Sequence, residues 1–158
     1  MQKQESHDFR RGSVKVVISA CLLGVRCRYD GGDSRNETAI KQGKKYELIP
    51  VCPEESGGLP TPRPPAEIVG GDGDDVLDGK AKVMTADGLD VTAAYLKGAH
   101  HALEVAQSNG TTHVILKARS PSCGCGDIYD GTFSGTLMSG DGVTTALLKR
   151  HGITVTAI

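Results

Sequence analysis

Val14-Lys15-Val16-Val17-Ile18-Ser19-Ala20-Cys21 is the stretch that decides the fold. A near-continuous β-branched run is the pattern of a strand buried on both faces, as in a parallel sheet. The run ends directly on a cysteine. Tyr46-Glu47-Leu48-Ile49-Pro50-Val51 reads as a second strand, with Pro50 near its end, and it too runs into a cysteine, Cys52. Thr112 to Ala118 reads as a third strand and Ile153 to Thr156 as a fourth. Helical stretches separate them. Ser34 to Lys44 is capped by Asp33 or Ser34 and stops near Gly43. Asp90 to Ser108 carries Val91, Tyr95, Leu96, Ala99, Ala102, Leu103 and Ala106 on one face and is stopped by Asn109-Gly110. Val143 to Arg150 is the last. Strands alternating with helices predict an α/β fold, a parallel sheet flanked by helices. Ala66 to Asp87 breaks the alternation and reads as a small β-hairpin insertion.

Residues 1–13 are polar and carry no apolar signal-peptide core, so they are expected to form a disordered tail or an appended remnant. Residues 14–158 are expected to form one domain. No apolar run reaches the ~20 residues of a membrane helix. The 158 residues carry a formal net charge of -1, so no basic field draws the chain to a nucleic-acid duplex or an anionic membrane. Aromatic residues make up 4% of the chain, too few for a single-strand stacking platform. Five cysteines, an odd number, argue against a disulfide framework and for a reducing, cytoplasmic setting.

Cys21 and Cys52 follow the first two strands directly, and Cys123 lies a few residues past the third. In a parallel sheet the carboxyl ends share one edge, and ligands bind outside that edge. Three thiols distant in sequence are thereby expected to meet. Structural zinc would want four ligands, commonly with C-x-x-C spacing, and that spacing is absent. Three thiolates suit a catalytic zinc or, better, a 4Fe-4S cluster with one iron left open. The bland alternative is that these are core cysteines. A polar set also lies near the strand ends: Arg28 and Asp30, Glu54, Arg63, Lys117, Arg119 and Ser120.

These motifs stand in a recognisable order. Ser19-Ala20-Cys21-Leu22-Leu23-Gly24 with Arg28-Tyr29-Asp30-Gly31 comes first, then Val51-Cys52-Pro53-Glu54 with Gly57-Gly58-Leu59-Pro60. Pro62-Arg63-Pro64-Pro65-Ala66-Glu67, Leu116-Lys117-Ala118-Arg119-Ser120-Pro121-Ser122-Cys123-Gly124 and Ile128-Tyr129-Asp130-Gly131-Thr132-Phe133 follow. Together they resemble the thiouracil desulfurase family from about Val14 to the C-terminus. The resemblance implies a Rossmann-like domain and a 4Fe-4S cluster held by Cys21, Cys52 and Cys123, with one iron open. It implies non-redox removal of sulfur from a thiolated uracil, giving uracil and sulfide. Glu54 would be the acid/base residue, and Ser120 would bind substrate or assist proton transfer. Arg28, Asp30, Arg63, Lys117 and Arg119 would contact the substrate. Cys27 and Cys125 depart from the pattern and are read as extra thiols. Two readings compete. One is a non-catalytic iron–sulfur or zinc binding protein; the other is a cluster-dependent lyase or hydrolase acting on another small molecule.

Overall fold

A computed structural model describes residues 14–158, and the tail expected over residues 1–13 lies outside the described residues. β1 (Lys15–Ser19), β2 (Glu47–Val51), β5 (His113–Leu116) and β8 (Thr154–Ala157) form a parallel sheet in the order β2-β1-β5-β8. Successive strand residues face opposite sides. Val17, Val114, Leu116 and Val155 enter one core cluster with Ala99 and Leu103 of α4 (Thr92–Ser108) and Leu147 of α5 (Val143–Arg150). Val16, Ile18 and Ile115 join Leu22 and Ala39 in a second cluster, covered by α1 (Glu37–Lys41). The central strands β1 and β5 are thus buried on both faces, which is why they read as apolar runs, while the edge strands β2 and β8 keep exposed positions. From β1 the chain goes to β2 on one side and returns to β5 on the other. That makes the β1–β5 boundary the switch point of the sheet, where a crevice opens at the carboxyl ends. Ser19 Oγ accepts the Lys117 N–H at 2.9 Å and ties the two strand ends together there.

The first helix is shorter than its sequence suggests. It spans Glu37–Lys41 and continues as a 3-10 turn over Gln42–Lys44. Asn36 is the cap, its side chain accepting the Ala39 N–H at 3.0 Å. Asp33 and Ser34 are otherwise engaged: Asp33 accepts the Arg35 N–H at 3.0 Å, and Ser34 Oγ accepts from Arg28 at 2.8 Å. In the insertion, β3 (Ala66–Val69) pairs antiparallel with β4 (Lys82–Thr85), as expected of hairpin arms. A helix, α3 (Gly73–Leu77), connects them in place of a tight turn, capped reciprocally by Asp72 and Asp75. Sequence periodicity missed α2 (Pro53–Ser56), a single turn, and the hairpin of β6 (Asp127–Tyr129) and β7 (Leu137–Ser139). α2 packs directly on α4, because a Cβ at Gly98 would overlap the Pro53 carbonyl and one at Gly57 the Ala94 carbonyl. Among the described residues no helix is long and apolar enough to cross a membrane.

Candidate active site

Each of the three expected thiols is held by a different local device. Cys21 lies in the 3-10 turn Ala20–Leu23 into which β1 runs. Gly24, at φ 97, closes that turn, and the Ser34 N–H donates to the Cys21 carbonyl at 2.9 Å. Cys52 caps α2, its carbonyl accepting the Ser56 N–H at 2.9 Å. Cys123 sits beyond β5 in a loop fastened to the start of α5. The first N–H groups of a helix lack intrahelical partners. Here those of Val143 and Thr144 donate to the Pro121 and Ser122 carbonyls, each at 2.8 Å. Thr145 Oγ1 donates to the Cys123 carbonyl at 2.9 Å, and Ser120 Oγ accepts the Cys123 N–H at 2.7 Å.

Cys21, Cys52 and Cys123 line one cavity of about 650 Å³ at the carboxyl edge of the sheet. Glu54, Arg28, Arg63, Lys117, Arg119 and Ser120 line the same cavity. Asp30 is not among its lining residues. Its carboxylate accepts the Gly32 N–H at 2.9 Å and lies 3.5 Å from Arg28 Nε. Arg63 is the organiser, with its side chain only 4% exposed. One terminal nitrogen donates to the Cys27 carbonyl at 2.8 Å and meets Glu54 Oε2 at 3.5 Å. The other donates to Thr61 Oγ1 at 2.9 Å and to the Pro60 carbonyl at 3.2 Å. Arg119 holds a left-handed backbone, φ 74, uncommon for a residue with a side chain.

The electrostatics follow from burial. Desolvation pushes the Glu54 carboxyl above its ordinary range, against the pull of Arg63 and of its own backbone N–H. Burial likewise pushes the Cys123 thiol up, with the nearby Glu54 adding to the effect. Cys27, read in the sequence as an extra thiol, lines the same cavity. It is 2% exposed, and its carbonyl accepts from the Cys52 thiol at 3.7 Å. The Cys27 thiol, able to donate to either neighbour, draws the Cys21 and Cys52 thiols down, and the same interaction together with burial pushes its own up. Cys125 sits apart, its thiol 3.7 Å from the Val155 carbonyl and packed against the larger core cluster.

The donor set discriminates between metals. Cys27, Cys52 and Glu55 form a compact group whose ligand atoms all lie within 4.8 Å of one another; Cys21 and Cys123 fall outside it. A single tetrahedral zinc, with Zn–S about 2.3 Å, spaces its sulfurs by about 3.8 Å. A four-iron cluster takes each thiolate on a separate iron and so spreads its ligands more widely. The all-sulfur set of Cys21, Cys52 and Cys123, on one cavity, has the soft donor chemistry that an iron–sulfur cluster takes. A metal bound there would take the Cys123 sulfur as a thiolate, since a coordinating thiol is deprotonated outright.

Three thiols at the carboxyl edge of a parallel sheet, lining one cavity beside a buried carboxylate, define an α/β protein with a candidate thiolate metal site. The chain belongs to the 2-thiouracil desulfurase family, whose model matches residues 16–157. A solved structure of TudS, a 4Fe-4S-dependent thiouracil desulfidase, is similar to it with a TM-score of 0.78 and 44% identity, covering 91% of this chain and 90% of that one. The uncharacterized protein YbbK of Bacillus subtilis (strain 168) is 49% identical over 140 residues, 89% of this chain and 93% of its own.

Residue reasoning overlooked three features of the site. Tyr95 lines the cavity from α4, although its helical spacing marked it only as core. Glu67 and Phe133 line it too, and were visible only as members of motifs. Cys27 stands six residues after Cys21 in one loop, a spacing that carries no metal signal by itself.

Proposed function

We propose that this chain is an iron–sulfur-dependent desulfurase that exchanges the thiocarbonyl sulfur of a thiolated uracil for oxygen from water. The carrying observation is the convergence of Cys21, Cys52, Cys123 and Glu54 on one cavity. The balance is simple: thiocarbonyl plus water gives carbonyl plus hydrogen sulfide. One C–O bond forms, one C–S bond breaks, and nothing is oxidised or reduced. Cys21, Cys52 and Cys123 would hold a 4Fe-4S cluster. When bound, it supplies a Lewis-acidic iron that binds soft sulfur and weakens the C–S bond. Glu54 takes the proton from the attacking water and returns it to the departing sulfur. Arg63 orients that carboxylate. Lys117, Arg119 and Arg28 offer positive charge to the ring as negative charge builds on it; Asp30 acts only through Arg28. Ser120 Oγ accepts the Cys123 N–H with one lone pair, which leaves its hydroxyl proton free for substrate. The five free thiols suit a reducing cytoplasm.

The compact Cys27–Cys52–Glu55 group supports a second reading, a single-ion site without catalysis. Anaerobic reconstitution separates the two. The desulfurase reading expects about four irons and four sulfides per chain, together with sulfide release from 2-thiouracil or 4-thiouracil. Replacing Cys21, Cys52 or Cys123 by Ser should abolish both, whereas Cys27→Ser and Cys125→Ser should keep the cluster. One zinc per chain that is lost with Cys27→Ser, and no sulfide release, would sink it.

A further inference from the structure

The chain has four tyrosines, two phenylalanines and no tryptophan. Four of these six residues, Tyr29, Tyr95, Tyr129 and Phe133, line the one cavity above the thiols. So aromatic surface is scarce in the molecule and concentrated where a planar ring would bind. Phe133 is the unusual member. It is 37% exposed, at the tip of the β6–β7 connection. Its backbone is left-handed, φ 58, a conformation that a bulky residue adopts only when its surroundings impose it.

The imposing group is Glu67 on β3. A single carboxylate oxygen, Oε1, accepts the N–H of Gly131 at 2.9 Å and of Phe133 at 3.1 Å. Gly131, at φ 88, lets the loop lie so close to β3 that a Cβ would run into the Ile68 carbonyl. Asp130 stiffens the same turn by accepting from the Thr132 N–H at 3.0 Å and its hydroxyl at 2.6 Å. Two motifs far apart in sequence, the one ending in Glu67 and the one ending in Phe133, are thus the two halves of a clasp. Phe133 is thus held by a strained, clamped loop, partly exposed and at the wall of the cavity. Its surface is available to a ligand.

We propose that Phe133 is the stacking wall for the pyrimidine ring of the substrate, and that Glu67 is the positioning residue that holds it there. This rests on the thiouracil reading and adds the feature that selects a planar heteroaromatic thiocarbonyl. The test uses cluster-loaded protein under anaerobic conditions. Calorimetry reads the affinity for uracil, and steady-state sulfide release reads kcat and KM for 2-thiouracil. Phe133→Ala should weaken uracil binding and raise KM by about tenfold, the scale of losing one base–aromatic stack. Its kcat, iron content and thermal midpoint should stay near those of the parent. Phe133→Leu, apolar but without a π face, should lose nearly as much. Glu67→Ala should follow Phe133→Ala, and Glu67→Gln, which keeps the accepting oxygen, should recover most of the loss. A Phe133→Ala or Phe133→Leu protein with parental affinity and KM would overturn the proposal. A cluster-loaded parent that neither binds uracil nor releases sulfide would instead overturn the desulfurase reading.

Discussion

Glu54 and Arg63 form a pair in which each residue has a separate duty. The Glu54 side chain is 16% exposed, yet it faces the cavity, so its charge is poorly solvated and depends on Arg63. Glu54→Gln keeps size and most hydrogen bonding while removing the base. Turnover should fall by roughly 10²–10⁴-fold, with cluster content and uracil affinity nearly unchanged. Sulfide release, measured beside iron analysis of the same sample, checks this; unchanged turnover in a cluster-loaded variant removes Glu54 from the mechanism. Arg63→Lys should behave differently. A guanidinium reaches four acceptors in a fixed fork, and an ammonium cannot. Loss of that fork should cost about 2 kcal/mol in urea unfolding, since hydrogen bonds to charged groups are worth about 1.5–3 kcal/mol. Retention of parental stability would show that the fork holds nothing together.

At the scale of elements, the cysteine loops are positioned by helices. Pro53 lies between Cys52 and Glu54, and its carbonyl rests on Gly98 of α4. Within a helix, Gly→Ala ordinarily stabilises by about 1 kcal/mol. At Gly98 the sign should reverse, because the added methyl pushes α2 away. A loss of about 1–3 kcal/mol in urea unfolding is expected, with lower iron content after reconstitution. A more stable Gly98→Ala protein with full iron would refute the close packing. On the other side, α5 holds the Cys123 loop through Thr145, which is fully buried. Thr145→Val conserves shape but leaves the Cys123 carbonyl one donor short. That should cost about 1–3 kcal/mol and shorten cluster lifetime in air, read by decay of its absorption.

For the whole molecule, the proposed ligands come from the ends of three strands, β1, β2 and β5, whose pairing spans most of the chain. A ligand that binds only the folded state stabilises it by mass action. Cluster-loaded protein should therefore melt well above metal-free protein in an anaerobic thermal scan. In Cys123→Ser the difference should vanish, because no full donor set remains. Equal midpoints for loaded and metal-free parent would mean that the cluster does not bridge these strands.

What the sequence determined by itself is the α/β alternation, the four parallel strands and the strand-end placement of Cys21 and Cys52. Those are local properties: a β-branched run, a helical period and a turn residue each act within a few neighbours. The motif order further carried the family. The tertiary structure alone decided which side chains share the cavity. It set Arg63 against Glu54, left Asp30 outside, and placed Cys27 beside Cys52 in the cavity lining. It also turned the expected hairpin insertion into two strands joined by a helix, and set the strand bearing Glu67 against the β6–β7 loop. Such pairings join residues far apart in the chain, as Glu67 and Phe133 are. Their geometry depends on the packing of the whole sheet and its helices, so no local pattern encodes it.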